Sequence, residues 1–204
     1  MMRIAYGDGG TRVQRSNTTT GTSVDINLNT SSRTSGGSYN QTANTSSNAL
    51  GTHNIFIAGR VGLGYSFGFT CYSGSSTATS RYTQTIGGTT SRYSSGTSSY
   101  SDVPLNYWSI GGGSTYGLFS YNIRVSNTML NTSGQDIYPH FIATGGWTTS
   151  NGTAYTGSVV GRVNTFFSAL TKIRIKPWGG SVGDFTVDNW SYEWLTMDPT
   201  GNDQ

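Results

Sequence analysis

The chain of 204 residues is long enough for one domain with a substantial core, and only 10% of it is charged. Its net charge of +3 comes mainly from arginines scattered singly, beside two lysines (Lys172, Lys176) and a lone glutamate (Glu193), so it has no basic run to track a phosphate backbone and no nucleic-acid partner is expected. Ser, Thr, Asn and Gly dominate the remainder and disfavour helices, whereas 13% aromatic residues supply apolar area that disordered chains lack, so strands and turns are expected to carry the fold.

Met1 to Asp8 lacks the apolar run of a signal peptide, and no stretch is long enough to cross a bilayer, so neither Sec-type export nor membrane insertion is expected. From Thr11 to Asn54 the sequence is mostly Ser, Thr, Asn and Gly, with one clear alternation, Val24-Asp25-Ile26-Asn27-Leu28, that predicts a half-buried strand. Residues 1–54 are accordingly expected to form a Ser/Thr/Asn-rich arm or loop region with a short strand, and residues 55–204 a β-sandwich domain.

Strand signals become dense from Ile55: Ile55-Phe56-Ile57, Gly64 to Phe69, Arg81 to Ile86 and Tyr107 to Ile110, each closed by Gly or Ser clusters. Cys71 has no partner for a disulfide and follows Phe67 and Phe69, which suits a buried small hydrophobe. Leu118 to Val125 places Phe119, Tyr121, Ile123 and Val125 on one face, and Ile137 to Ala143 alternates again. Short strands at this spacing, with no heptad or fixed-period repeat, predict an all-β, jelly-roll-like antiparallel sandwich.

Catalysis requires a base, an acid or a nucleophile held by partners, and titratable groups are sparse. His53 lies in a Gly-Thr-His-Asn turn context and His140 alternates with Tyr138 and Ile142 in a strand, so both are read as structural. No nucleophile elbow, zinc-protease helix or phosphate loop is present. Asp184, Asp188 and Glu193 are the best carboxylate set for a glycosidase, but Asp188 and Glu193 are an odd number of positions apart and face opposite sides of an unbulged strand. No enzymatic activity is expected.

The C-terminal segment is the most specific part of the sequence. Thr171 to Lys176 alternates strictly, with Ile173 and Ile175 inward and Lys172, Arg174 and Lys176 outward, and Pro177-Trp178-Gly179-Gly180 predicts a turn. In the closing strand, strict alternation places Phe185 and Val187 on one face and Trp190, Tyr192 and Trp194 on the other.

An Ile-x-Ile strand, a Gly-rich turn and a closing strand resemble the C-terminal end of jelly-roll modules in virion proteins of tailed bacteriophages, including capsid decorations and tail fibres. The apolar strand running into Asp188-Asn189 is also similar to the last strand of carbohydrate-binding jelly-roll modules. About the last 25 residues carry these resemblances, and Trp194-Leu195-Thr196 departs from the Leu-Tyr-Gly-like ending of many phage modules. The carbohydrate-binding resemblance implies a structural calcium ligand at Asp188; the residues alone favour a turn or bulge closed by hydrogen bonds of Asp188 and Asn189. No other cofactor is implied.

Together these features predict a non-enzymatic virion surface protein, assembled in the host cytoplasm as a homo-oligomer, a trimer, alongside other virion proteins, with host-surface glycan attachment as a further role. The alternative is a carbohydrate-binding module using surface aromatics. Trp178, Trp190, Tyr192 and Trp194 are the expected glycan or subunit contacts, with burial against a second sheet or a neighbouring subunit preferred over sugar stacking because exposed aromatic strands aggregate.

Overall fold

The computed structural model describes residues 14–20, 23–28, 51–62, 66–87, 89–93, 99–106, 117–127, 138–148, 152–165, 170–178 and 185–196, which contain strands and no helix. In chain order the strands are β1 (Gln14–Thr20), β2 (Val24–Asn27), β3 (Gly51–Val61), β4 (Ser66–Ser73), β5 (Ser76–Ala78), β6 (Ser80–Ile86), β7 (Thr89–Tyr93), β8 (Asp102–Pro104), β9 (Gly117–Asn127), β10 (His140–Thr148), β11 (Ala154–Val163), β12 (Leu170–Trp178) and β13 (Phe185–Thr196). Eight of them form one antiparallel sheet in the order β1, β13, β3, β9, β10, β11, β6, β7. The smaller sheet runs β2, β12, β4, β5, with β8 also paired to β4.

The two sheets share one winding. The chain passes from the larger sheet to the smaller between β1 and β2 and again between β3 and β4, and returns between β12 and β13. β13 lies between β1 and β3 while β12 lies between β2 and β4. With β9 beside β3 and β8 beside β4, the sandwich has jelly-roll strand orders, extended on the larger sheet by β10, β11, β6 and β7.

Alternation decides which side of each strand is buried. On β9, Phe119, Tyr121, Ile123 and Val125 are buried and the residues between Leu118 and Arg124 that separate them face solvent; on β12, Ile173 and Ile175 are buried, as expected. The inner faces meet through aromatic rings. Phe67 of β4 lies 4.3 Å from Phe119, 5.8 Å from Tyr121 and 6.0 Å from Phe185, and Phe69 meets Phe141 edge-on at 5.3 Å. Cys71 sits fully buried among these residues, and desolvation pushes its thiol up to about 12.

Such large rings need room within the sheet. Tyr121 is paired with Gly145, which is in turn paired with Gly157, and a Cβ on Gly157 would lie 2.6 Å from the Tyr121 hydroxyl. The Tyr121 hydroxyl donates a 2.6 Å hydrogen bond to the Leu105 carbonyl, satisfying a polar group inside the core.

The structure departs from the sequence expectations at Pro177 and Trp178 and at His53, and again in the closing strand described below. Pro177 and Trp178 do not form a turn: they extend β12 and pair with Phe67 and Ser66. Among the described residues pairing with β2 ends at Ile175 while pairing with β4 continues, and a proline is tolerated in a strand where no ladder hydrogen bond is asked of its nitrogen. The short half-buried strand expected at Val24 to Leu28 is β2, in the smaller sheet, and β1 joins the larger one. His53 is not in a turn but within β3, fully buried. The predicted strand Tyr107 to Ile110 lies outside the described residues.

The outer face of the smaller sheet is knitted by charge. Asp25 accepts two hydrogen bonds from Arg174, at 2.6 and 2.8 Å, and one of 3.0 Å from Lys172, whose ammonium also sits 4.4 Å from the Tyr72 ring centre. The Arg174 hydrogen bond, and then that of Lys172, hold the Asp25 carboxyl below its usual range despite partial burial. A depressed carboxyl contributes stability above its unfolded pKa and loses it as pH falls through the folded value. Asp25→Asn is therefore expected to destabilise the protein at neutral pH by less than about 1 kcal/mol, because the pair is partly solvent-screened. In melts at stepped pH the gap between variant and wild type should close below about pH 4, the unperturbed carboxyl range; a gap that persists at pH 2 would refute the assignment.

Candidate binding face

The closing strand contains a bulge that changes every side-chain direction after it. Val187 pairs with Gly59 and Asn189 with Ala58, leaving Asp188 as the extra residue. Trp190 and Tyr192 thus come opposite Ile57 and Ile55, on the same inner face as Phe185 and Val187, not on the other face as strict alternation predicts. Tyr192 is buried, with its hydroxyl 2.9 Å from His53 Nδ1, and Trp190 packs partly buried against the core. Tyr192 therefore offers no ring to a sugar. Trp178 and Trp194 lie on strands β12 and β13, but their side chains fall outside the described residues, as does Asp184.

The bulge also undoes the expected separation of Asp188 and Glu193. Asp188 reaches Arg60, which donates from Nε at 3.0 Å to one carboxylate oxygen and from Nη2 at 2.9 Å to the other. Glu193 pairs in register with Asn54, whose amide donates to it at 3.4 Å. Both carboxylates are thus partnered from residues of β3 that alternate away from the core. The hydrogen-bonded bulge expected at Asp188 is present, and both of its oxygens are engaged by a guanidinium. Among the described residues no group of three or more His, Cys, Asp or Glu is placed to hold a metal ion.

The outer face of the larger sheet was not singled out by the sequence reading. Among the described residues four large apolar side chains lie there: Leu118 is 60% exposed, Val160 51%, Phe56 44% and Ile142 39%. Around Phe56 the surface sinks into an open depression of about 510 Å³. Register builds it from two cross-strand rows. One runs Glu193, Asn54, Arg124, Ile142 and the other Ser191, Phe56, Asn122, Thr144, each row taking one residue from β13, β3, β9 and β10.

The signal for this face was present in the alternation. Phe56 stands between Ile55 and Ile57, which are fully buried, so a large ring was bound to point outward. Arg124 donates from Nε to Ser126 at 3.2 Å, leaving its terminal nitrogens directed to no partner among the described residues. Nearby His140 is held below its ordinary pKa, first by burial and then by the Arg124 guanidinium, and is neutral at pH 7. The depression therefore presents one cation, one carboxylate, two amides and two hydroxyls beside the apolar side chains of Phe56 and Ile142.

Comparison with known proteins finds no matching family model, no matching curated protein and no matching solved structure.

Proposed function

We propose that the chain is a non-enzymatic surface protein of a tailed-bacteriophage virion that works by contact, as a capsid decoration or tail-fibre component. The observation that carries the proposal is the outer face of the larger sheet, where Leu118, Val160, Phe56 and Ile142 remain exposed on strands fixed by their neighbours. Exposed apolar groups set among polar ones on one regular sheet face suit contact with another molecule. The polar chemistry points the same way: Asp25, Asp102 and Asp188 are ion-paired to Lys172 and Arg174, to Lys176, and to Arg60, as structural carboxylates are. The low charge and Ser/Thr-rich composition, together with the resemblance of the last strands to phage jelly-roll modules, add the virion context.

Subunit assembly follows from the same proposal. The purified chain is expected to elute as a homotrimer by size exclusion with light scattering, and to keep that form on an unboiled SDS gel. It should also show no turnover on a panel of glycosides. A monomer that fails to attach to purified capsids or tails, or any hydrolysis that survives repurification, would overturn the proposal.

A further inference from the structure

We infer that the depression centred on Phe56 is a binding site for a neutral oligosaccharide lying across β13, β3, β9 and β10. The inference rests on the contact function proposed above and assigns that contact a ligand class. Every sugar hydroxyl both donates and accepts, so a saccharide site needs donors and acceptors interleaved at close spacing. The two rows supply this: Arg124 donates, Glu193 accepts, and Asn54, Asn122, Ser191 and Thr144 do both.

The apolar side chains fit the same ligand. Phe56 and Ile142, on strands either side of β9, can each cover the C–H face of one pyranose of a short oligosaccharide, whose edges then carry hydroxyls to the surrounding polar groups. Adjacent strands are about 4.8 Å apart, so a row of four side chains spans about 14 Å, enough for a short oligosaccharide. The volume of about 510 Å³ falls within the range of about 300–1,000 Å³ typical of small-ligand sites.

Charge selects among saccharides. Arg124 and Glu193 cancel, and His140 stays neutral, so the depression has no net charge with which to hold an acidic polymer. Because all eight groups stand on paired strands, binding would order no loop and lose little conformational freedom.

The test uses the full chain on an array of neutral and acidic glycans that includes bacterial surface polysaccharides. Binding to at least one neutral glycan is expected, weakened tenfold or more in Phe56→Ala and in Glu193→Ala. Both side chains are solvent-facing, and an unchanged melting temperature in each variant excludes unfolding as the cause. A silent array, binding confined to acidic glycans, or neutral-glycan binding that survives both substitutions would overturn the inference. If Phe56→Ala instead dissolves the trimer in light scattering and the array is silent, the face is a subunit contact: the saccharide site fails while the contact function stands. Glycan binding by a monomer that does not join virions would keep the site and remove the virion assignment.

Discussion

Gly145→Ala should destabilise the protein by at least about 3 kcal/mol, a large effect for a single added methyl group. A Cβ at this position would lie 2.7 Å from both Cα and Cγ of Tyr121, and closer still to the Ser120 carbonyl oxygen. The obstruction is backbone, which cannot rotate aside, so relief requires β9 and β10 to separate and lose ladder hydrogen bonds. Truncating Tyr121 as well would not rescue the variant, because the carbonyl contact remains. The measurement is the urea midpoint with its slope, and Gly152→Ala is the control. Gly152 has φ of +83° and open space around its Cα, so there only backbone strain is added, about 1 kcal/mol. Equal midpoint shifts in the two variants would show that the close packing of β9 on β10 is not limiting.

Phe67→Ala is the second substitution with a large expected effect, a loss of about 3–5 kcal/mol. Phe67 is fully buried on the smaller sheet and touches Phe119, Tyr121 and Phe185, three rings of the larger one, so its removal opens a void at the junction of the sheets. Phe119 and Phe185 stack nearly parallel, at 3° and 5.7 Å, and neither can swing into the space without breaking that arrangement. The backbone N–H of Phe67 donates to Asn106 Oδ1 at 2.6 Å and should keep β4 in place, so the variant is expected to fold with a lowered melting temperature and to take up a small apolar ligand such as benzene. A melting temperature within a degree of wild type would mean that the sheets do not depend on this ring.

The alternation of Phe119, Tyr121, Ile123 and Val125, and of Ile173 and Ile175, was readable because a strand with one wet face must repeat every two residues. The same rule failed where the backbone departs from regularity. At Asp188 one extra residue turns Trp190 and Tyr192 inward, and nothing in Val187-Asp188-Asn189 distinguishes a bulged strand from a straight one until the partner strand is known. β1, with the sequence Gln-Arg-Ser-Asn-Thr-Thr-Thr, has no apolar residue to announce it; its pairing is supplied by β13, nearly the whole chain away. The depression was illegible for the same reason. Asn54, Arg124, Ile142 and Glu193 become neighbours only through register between four strands, whereas the outward direction of Phe56 followed from its flanking isoleucines.

The way the two sheets are wound sets the order in which this protein can be made. β12 and β13 are central strands, each gripping partners from the first 73 residues of the chain, so until they emerge from the ribosome β2 and β4 have no common neighbour, and neither have β1 and β3. Among the described pairings β1 has β13 alone and β2 has β12 alone, so these two strands wait until the end of synthesis, whereas β4 can pair with β5 and β8, and β3 with β9, before then; closing the fold is a non-local event of the kind that takes milliseconds to seconds. The composition of β1, Gln-Arg-Ser-Asn-Thr-Thr-Thr, suits that interval, because a strand with no apolar residue is slow to stick to its neighbours while it waits.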